Sequence, residues 1–327
     1  MLDKYRSFLV TGGLGFVGRH LTEALLALGK EVTILDNSRT AIDTRPPPGA
    51  MLRVADIRHS HEVAEAVAGV DVVFHLAANA NGTLSITQPR LDFETNTVGT
   101  FSLAEAFLGS DIRRFVYVSS ASVYGRPQYF PMDEDHPTRP FVPYGASKLS
   151  GEVTCLALHH ACGLPVVVGR PFCIYGSGTN PHEEMVEVGR YLRWHLNDQP
   201  IQIVGDLDRK TRDFVHVSDL VNGLLVIADR AKTGEVFNIG SGQEISMREL
   251  VDTIGAATGQ EPALRVISEI EDDTYRLVAD ISKLEGLGYR PVMHFGKGIR
   301  ELADQLGPAP ELPVAPTIFA RGQQAES

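Results

Sequence analysis

The sequence predicts a doubly wound α/β fold: a mostly parallel seven-stranded sheet with a smaller α/β domain beside it. Three observations predict it. A glycine turn, Gly12, Gly15 and Gly18, joins an apolar strand to an amphipathic helix. An acid, Asp36, closes the second strand, 24 residues after Gly12. Apolar strands and helical stretches then alternate as far as Ile239, the signature of βα units.

Residues 7–10 read as a buried strand, and the helix that follows carries Val17, Leu21, Leu25 and Leu28 on one face. In that setting Gly12 permits a tight turn, Gly15 lets a pyrophosphate approach the backbone, and Gly18 lets helix and strand pack closely. The helix N-terminus offers free N–H groups and a positive dipole end to phosphates. Residues 31–35 form the second strand, and Asp36 stands where a carboxylate hydrogen-bonds ribose hydroxyls. Together these predict a dinucleotide site. They also predict NAD over NADP: Asp36 repels a 2′-phosphate, and Asn37-Ser38 set no arginine directly beside it, although Arg39 follows.

After a proline-bearing loop, 37–50, come a short strand (51–54) and a helix (60–68). Residues 70–76 are a continuous apolar strand, the kind buried on both faces of a parallel sheet. It ends in Ala77-Ala78, small residues that let a ligand lie against backbone. A long helix (89–108), a strand (114–119), a second long helix (144–162) and strands at 164–169 and 236–239 complete the alternation. The second half is less regular. It reads as a helix at 180–197, a strand at 200–204, and helices capped by Ser218 and Ser246 that reach Ala228 and Thr258. The nucleotide domain is therefore expected at about 1–170 plus 214–245, and the smaller domain at about 171–213 plus 246–306. The tail, about 307–327, is expected to be disordered.

Composition sets limits. The chain has 327 residues, 43% of them hydrophobic, enough for one large or two fused domains. Its formal charge is -11 and it has no basic run, which argues against a nucleic-acid partner. No apolar window reaches the roughly 20 residues of a membrane span, and the charged N-terminus is not a secretory signal. Three cysteines, Cys155, Cys162 and Cys173, do not make a disulfide framework or a zinc site. Cys155 and Cys162 lie about 10 Å apart along a helix, too far for a disulfide. A reducing cytoplasm is the expected setting.

The chemistry centres on Tyr144 and Lys148, four residues apart and thus stacked on one helix face. A lysine ammonium and an NAD+ ring beside a phenol both favour the phenolate and lower its pKa from about 10, giving a general base. A strand ends at Ser119-Ser120, where a hydroxyl reaches the same substrate oxygen.

Here the sequence resembles the extended short-chain dehydrogenase/reductase family, in particular its nucleotide-sugar epimerases and dehydratases. The likeness runs in register over about residues 7–300: Thr11 through Gly18, Asp56-Ile57, His75-Leu76-Ala77-Ala78, Asn96-Thr97-Val98-Gly99-Thr100 and Ser119 through Gly125. It continues through Tyr144 and Lys148, Arg170 through Gly176, Thr211 through Asp219, Phe237 through Gly242, and Ala279 through Lys283. The resemblance implies a Rossmann-like fold, bound NAD and a nucleotide-sugar substrate. It makes Tyr144 the base, Ser120 the catalytic hydroxyl and Lys148 the nicotinamide-ribose ligand. Cofactor contacts fall on Gly12, Gly15, Phe16, Val17, Gly18, Asp36, Asn37, Asp56, Ile57, Leu76, Ala77, Ala78, Asn96, Ser119, Tyr144, Lys148 and Pro171, with Asp56 and Ile57 holding adenine. Substrate contacts fall on Thr83, Ser120, Tyr144, Cys173, Arg212 and Arg276, with Arg212 a guanidinium fork for the diphosphate. The family also implies a homodimer through a four-helix bundle built from the two long helices, whose apolar residues include Phe93, Val98, Leu103, Phe107, Leu149, Leu156 and Leu158.

Within the family, 4,6-dehydratases carry an Asp-Glu pair directly after the catalytic hydroxyl residue. This chain has Ala121 and Ser122 there. A 4-epimerase, which needs only Ser, Tyr, Lys and NAD, is the favoured reading. The alternatives are another keto-sugar chemistry (reduction, decarboxylation or an atypical dehydration) and, more remotely, a non-catalytic NAD-responsive binding protein. The chain departs from the family at Cys173, usually Asn, at Ile270, usually Arg, and at Thr83-Leu84, usually basic; Arg276 or Arg265 would compensate for Ile270. Other polar residues read as structural. His75 is a packed strand-end histidine, His216 part of a strand, Asp219 an acid in a capping turn and Asn96 an amide joining helix to strand. His59, His61, His159 and His160 form no metal site.

Overall fold

The computed structural model describes residues 1–67, 69–182, 186–267 and 276–313. The expectation at Ile270 and most of the tail expectation lie outside them.

The first half alternates strand and helix as the apolar pattern requires: β1 (Ser7–Thr11), α1 (Phe16–Ala27), β2 (Glu31–Asp36), β3 (Met51–Val54), α2 (Ser60–Ala66) and β4 (Val72–His75). Two short helices, α3 (Gly82–Thr87) and α4 (Pro89–Phe93), lead through one wide turn, Glu94–Gly99, into α5 (Thr100–Ala106). Then come β5 (Arg114–Val118), α6 (Pro143–Cys162) and β6 (Val166–Pro171). The second half adds short strands β7 (Cys173–Tyr175), β8 (Ile201–Val204), β9 (Thr211–Arg212) and β10 (Phe214–His216), with α7 (Glu187–His195) between β7 and β8. It ends with α8 (Val217–Arg230), β11 (Val236–Ile239), β12 (Ile245–Ser246), α9 (Met247–Thr258), β13 (Leu264–Ile267), β14 (Arg276–Leu277), α10 (Ser282–Glu285) and α11 (Phe295–Leu306).

Among the described residues, seven strands form one sheet in the order β11-β6-β5-β4-β1-β2-β3. Every pairing in it is parallel. The strand residues divide by parity between two cores. Phe8, Val10, Val72, Phe74, Val116 and Val167 pack with Leu21 and Leu25 of α1 and Leu224 of α8. Leu9, Val73, Phe115, Tyr117, Val166 and Val168 pack with Val63 of α2, Leu103 of α5 and Cys155 of α6. A sheet buried on both faces in this way needs strands that are apolar throughout. A third core, built from α7, α9, α11, β8 and β10, includes Tyr191, Leu192, Ile201, Ile203, Phe214, Leu250 and Ile299.

Strand order reverses between β1 and β4. Their C-terminal ends open the crevice where doubly wound sheets place ligands.

Several sequence expectations change. The long helix at 89–108 is broken by a π-type turn over Glu94–Gly99 and stops at Ala106. The described part of the 180–197 helix begins only at Glu187. The cap of α8 is His216, not Ser218: β10 runs straight into the helix, and the His216 ring accepts from the Ser218 N–H. Ser246 does cap α9, accepting from the Glu249 N–H at 3.0 Å. Asp219 lies in the first turn of α8, as expected of a capping-turn acid. Its two oxygens accept from the Val292 and Met293 N–H groups, 3.0 and 2.9 Å away, tying α8 to the C-terminal segment.

Candidate active site

The crevice begins at the glycine turn. Gly12 has φ 70°, and a Cβ there would lie 2.8 Å from the Ala77 nitrogen, so the turn rests on the end of β4. A Cβ on Gly18 would overlap the Gly12 carbonyl oxygen and lie 2.7 Å from the Gly13 Cα. Gly15, the N-cap of α1, has no capping side chain, which leaves first-turn N–H groups of Phe16 and Val17 for an anion. Three missing side chains and an uncapped helix start fit a dinucleotide pyrophosphate. Gly18→Ala is expected to weaken NAD+ binding by roughly 10–100-fold, the equivalent of about 1–3 kcal/mol of overpacking. Calorimetry checks it, and an unchanged affinity would mean that the turn yields without cost.

At the end of β2, Asp36 accepts from the Leu14 N–H at 3.0 Å and the Ser38 N–H at 2.8 Å. Each oxygen keeps a lone pair for a ribose hydroxyl. The Asn37 amide donates to Asp56 at 3.2 Å. Arg58 holds the Asp56 carboxyl well below the usual carboxylate range. Ile57 is buried beneath Gly99.

His75 is a buried link, as its strand-end position implies. Thr100 gives its proton to the Asn96 carbonyl, 2.7 Å away. His75 Nε2, 2.9 Å from Thr100 Oγ1, must therefore donate, and Nδ1 then accepts from Thr11 Oγ1 at 2.8 Å. Burial pushes His75 down to about 3, so the ring stays neutral. The Ala77 N–H completes the chain by donating to Thr11 Oγ1 at 3.2 Å.

On the other side of the crevice stands α6. Pro143 opens it, and the otherwise orphaned Tyr144 N–H donates to Ser85 Oγ at 3.1 Å. Ser120, after β5, accepts from the Ser122 N–H and hydroxyl, 3.2 and 2.9 Å away. Burial pushes Tyr144 up to about 12, its hydrogen bond with Ser120 lowers it, and the Asp92 carboxylate raises it. Among the protein groups, desolvation thus outweighs the Ser120 hydrogen bond at the phenol. The Lys148 ammonium lies over the Tyr117 ring, 4.6 Å from its centroid. Burial lowers it to about 8, against the pull of Cys155, Glu152 and Asp92.

Behind this wall lies a buried ion pair absent from the sequence reading. Arg170 Nη2 and Nε donate to the two Glu152 oxygens at 2.5 and 3.1 Å. Ser119 Oγ donates to Glu152 at 2.6 Å, so Ser119 is anchored to this pair. Arg170 also donates to the Tyr124 hydroxyl, which donates to Asn238 at 2.6 Å. Pro171, buried, ends β6 beside Ile239. A sequence signal existed: Glu152 follows Lys148 by four residues and so shares its inward face.

The expected substrate residues separate into two groups. Arg212 is buried, with its Nε 3.4 Å from Glu187. Lys210, Arg190 and Arg212 together keep the buried Glu187 carboxyl below its usual range, against burial. Cys173, half-buried at the start of β7, shares this environment: burial and Glu187 raise its thiol to about 12, and Arg212 and Lys210 oppose them. Arg276 is engaged elsewhere. It makes a two-pronged pair with Glu244, 2.7 Å on each prong, and its guanidinium lies 4.0 Å from the Phe130 ring centroid. Thr83 lies half-buried in α3, the helix whose Ser85 holds Tyr144. Among the described residues no cluster of His, Cys, Asp and Glu is arranged to hold a metal ion.

Known proteins resemble this chain in sequence and fold. A family model described as the NAD dependent epimerase/dehydratase family matches residues 8–240. The chain is 33% identical to a UDP-glucose 4-epimerase of Mycolicibacterium smegmatis, covering 90% of this chain and 97% of that one. It is also 33% identical to a dTDP-glucose 4,6-dehydratase of an Actinoplanes species, covering 90% and 95%. The crystal structure of the UDP-glucose 4-epimerase of Thermus thermophilus in complex with NAD matches with a TM-score of 0.84 at 31% identity, covering 91% of this chain and 98% of that one. The chain is therefore an enzyme of the NAD-dependent epimerase/dehydratase family.

Proposed function

We propose that the chain is a nucleotide-sugar 4-epimerase using NAD. The observation that carries this is the turn after Ser120. Ala121–Val123 forms a single helical turn in which Ala121 and Val123 are buried and no side chain ionises. Elimination of water needs a second acid–base pair at the sugar beyond the tyrosine; a 4-epimerisation uses the tyrosine alone. The reading rests on this turn and not on overall identity, which is 33% to both the epimerase and the dehydratase named above.

In this reading Gly12, Gly15, Gly18, Asp36 and Asp56 hold the cofactor, and Lys148 binds its nicotinamide ribose. NAD+, when bound, supplies the hydride acceptor and a cationic ring that favours the Tyr144 phenolate. Tyr144 takes the proton from the sugar 4-hydroxyl and returns it after the keto-sugar has turned. Ser120, hydrogen-bonded to Tyr144, holds the same oxygen and steadies it as charge shifts. Arg212, among the cations around Glu187, meets the diphosphate, and Cys173 and Thr83 face the sugar nucleotide. Arg276, paired with Glu244, joins only if that pair opens. The third core supports a separate substrate domain over about 171–213 and 246–306.

The test is a panel of UDP-, GDP-, dTDP- and CDP-sugars with products identified by NMR. A C4-inverted sugar and flat absorbance at 340 nm are expected. A 4-keto-6-deoxy product, loss of CO2, or net NADH consumption would place the chain with the dehydratases, decarboxylases or reductases.

We further propose a homodimer in the cytoplasm. No described helix is long and apolar enough to cross a membrane, and all three cysteines are free thiols. Of the apolar residues expected at the four-helix bundle, Leu103 and Phe107 are in the chain's own core, and Leu149, Leu156 and Leu158 pack partly against it. Phe93, Val98, Phe101 and Val153 remain exposed on the two helical segments, Phe93 at 52% and Val153 at 56%. Light scattering should give twice the chain mass, and Phe101→Glu with Val153→Glu should give the monomer. A monomeric native chain at micromolar concentration overturns the dimer.

A further inference from the structure

Asp92 is a buried acid on the helix that faces α6, only 1% exposed. Its Oδ1 accepts from Asn79 Nδ2 at 3.0 Å and from Asn96 Nδ2 at 3.1 Å. Asn79 follows the β4 end, Leu76-Ala77-Ala78, against which the Gly12 turn rests. Asn96 reaches further. Its Nδ2 also meets the Asn79 carbonyl and Ser147 Oγ, each at 3.0 Å, and its Oδ1 accepts from the Asn79 N–H at 2.7 Å. Ser147, between Tyr144 and Lys148, donates to the Tyr144 carbonyl at 3.0 Å.

The wide turn over Glu94–Gly99 makes these contacts possible. It sets the Asn96 carbonyl so close to α6 that a Cβ on Gly151 would lie 2.9 Å from it. Such single π-type turns recur at functional sites. Thr97 Oγ1 then donates to the Ser147 carbonyl at 3.2 Å, and the Tyr117 hydroxyl to the Lys148 carbonyl at 3.0 Å. Burial raises the Asp92 carboxyl above its usual range, while Ser147, Asn79 and Lys148 draw it back. Both amides fall on Oδ1, while Oδ2 is buried with no hydrogen-bond partner among the described residues, so what anchors this acid is the pair of amides from the two sides of the crevice.

We propose that Asp92 is a positioning residue: through Asn79 on one side, and Asn96 and Ser147 on the other, it registers the cofactor-facing end of β4 against the segment of α6 that carries Tyr144 and Lys148. The proposal rests on the assignment of Tyr144 and Lys148 to the redox centre, but not on which sugar is turned over. It distinguishes a charge-independent acceptor from a packing role. In Asp92→Asn the remaining oxygen still accepts from both amides. In Asp92→Leu, which keeps the branched heavy-atom skeleton but is larger and apolar, neither amide finds an acceptor there.

The test compares both variants with the native chain by NAD+ calorimetry and by amide exchange of the cofactor-free protein. Asp92→Leu should weaken NAD+ binding by at least about tenfold, as expected when a binding constellation loses its register. It should also speed exchange at residues 79–81 and 144–148 while the β1 amides stay protected. Asp92→Asn should restore both readings to within about twofold of native. Asn79→Ala, which removes one of the two donors, should move them in the same direction as Asp92→Leu, and it stands as the deciding variant should Asp92→Leu fail to fold. Native affinity and native local exchange in Asp92→Leu, or in Asn79→Ala when it decides, would overturn the proposal. So would faster exchange throughout the fold including β1, or failure of Asp92→Asn to rescue. Neither reading needs a sugar substrate. A chain that passes here and turns over no 4-hydroxyl would thus fail the proposed function alone.

Discussion

Tyr144→Phe is expected to lower turnover by about 10²–10⁴-fold, the usual weight of a general base, and to leave NAD+ affinity within about twofold of native. The ring itself is kept, and the glycine turn and Asp36 are untouched. Only the phenolic oxygen goes, and with it the group that takes the proton. The pH dependence gives a second signature. Protein groups alone leave the Tyr144 phenol at about 12, so deprotonation becomes easier only in the loaded site. The native rate should rise with pH through a value below 12, because the base form is the active one. That limb should vanish in Tyr144→Phe. Ser120→Ala should be milder, losing one hydrogen bond and not the base. Lys148→Ala should damage turnover and NAD+ affinity together. Near-native turnover in Tyr144→Phe, measured by NMR on whichever sugar the panel identifies, would move the base elsewhere and leave the family likeness true of the fold only.

The parts of this site legible in the sequence are those whose chemistry is local. Gly12, Gly15 and Gly18 declare themselves because a short turn leaves no room for Cβ atoms. The seven strands declare themselves because a sheet buried on both faces tolerates few polar residues. The parts that stayed hidden depend on partners far along the chain. Ser85 meets the Tyr144 N–H across 59 positions, and Ser147 meets Asn96 across 51. No periodicity marks such pairs. The π-type turn was invisible for a related reason. An i→i+5 turn costs helical regularity and is stabilised by tertiary contacts such as those of Asn96 and Thr97 with Ser147, not by propensity. The setting of Tyr144 is only half legible: spacing predicts which charges stand near, while burial, the larger influence among the protein groups, is known only from the folded chain. The partner of Arg276 was hidden in the same way: Glu244, 32 positions away, pairs with it.

The largest stability change is expected from Arg170→Met. Arg170 and Glu152 are both buried, 5% and 1% exposed. Burial disfavours the Arg170 charge, but Glu152 and Tyr124 outweigh it and hold the guanidinium above its ordinary pKa. Methionine would leave the Glu152 carboxylate in place with only the Ser119 hydroxyl as a hydrogen-bond partner among the described residues. Breaking one side of a buried pair typically costs about 3–5 kcal/mol, whereas neutralising both sides costs little. At about 2.1 cal/mol/K per residue of unfolding entropy, the single variant should melt roughly 4–8 °C lower. Arg170→Met with Glu152→Gln should recover most of that, since glutamine still accepts from Ser119 and carries no charge. A double variant as unstable as the single one would mean that shape, and not the orphaned charge, sets the cost. The same double variant probes the site. Glu152 is one of the anions that raise the Lys148 pKa against burial, which leaves it at about 8. Without that anion the folded-state pKa falls further, and Lys148 loses its proton at lower pH. The alkaline limb of the pH–rate profile should therefore move downward, while the acid limb set by Tyr144 stays where it is. An unmoved alkaline limb would show that Lys148 acts through its contact with the ribose and not through its charge.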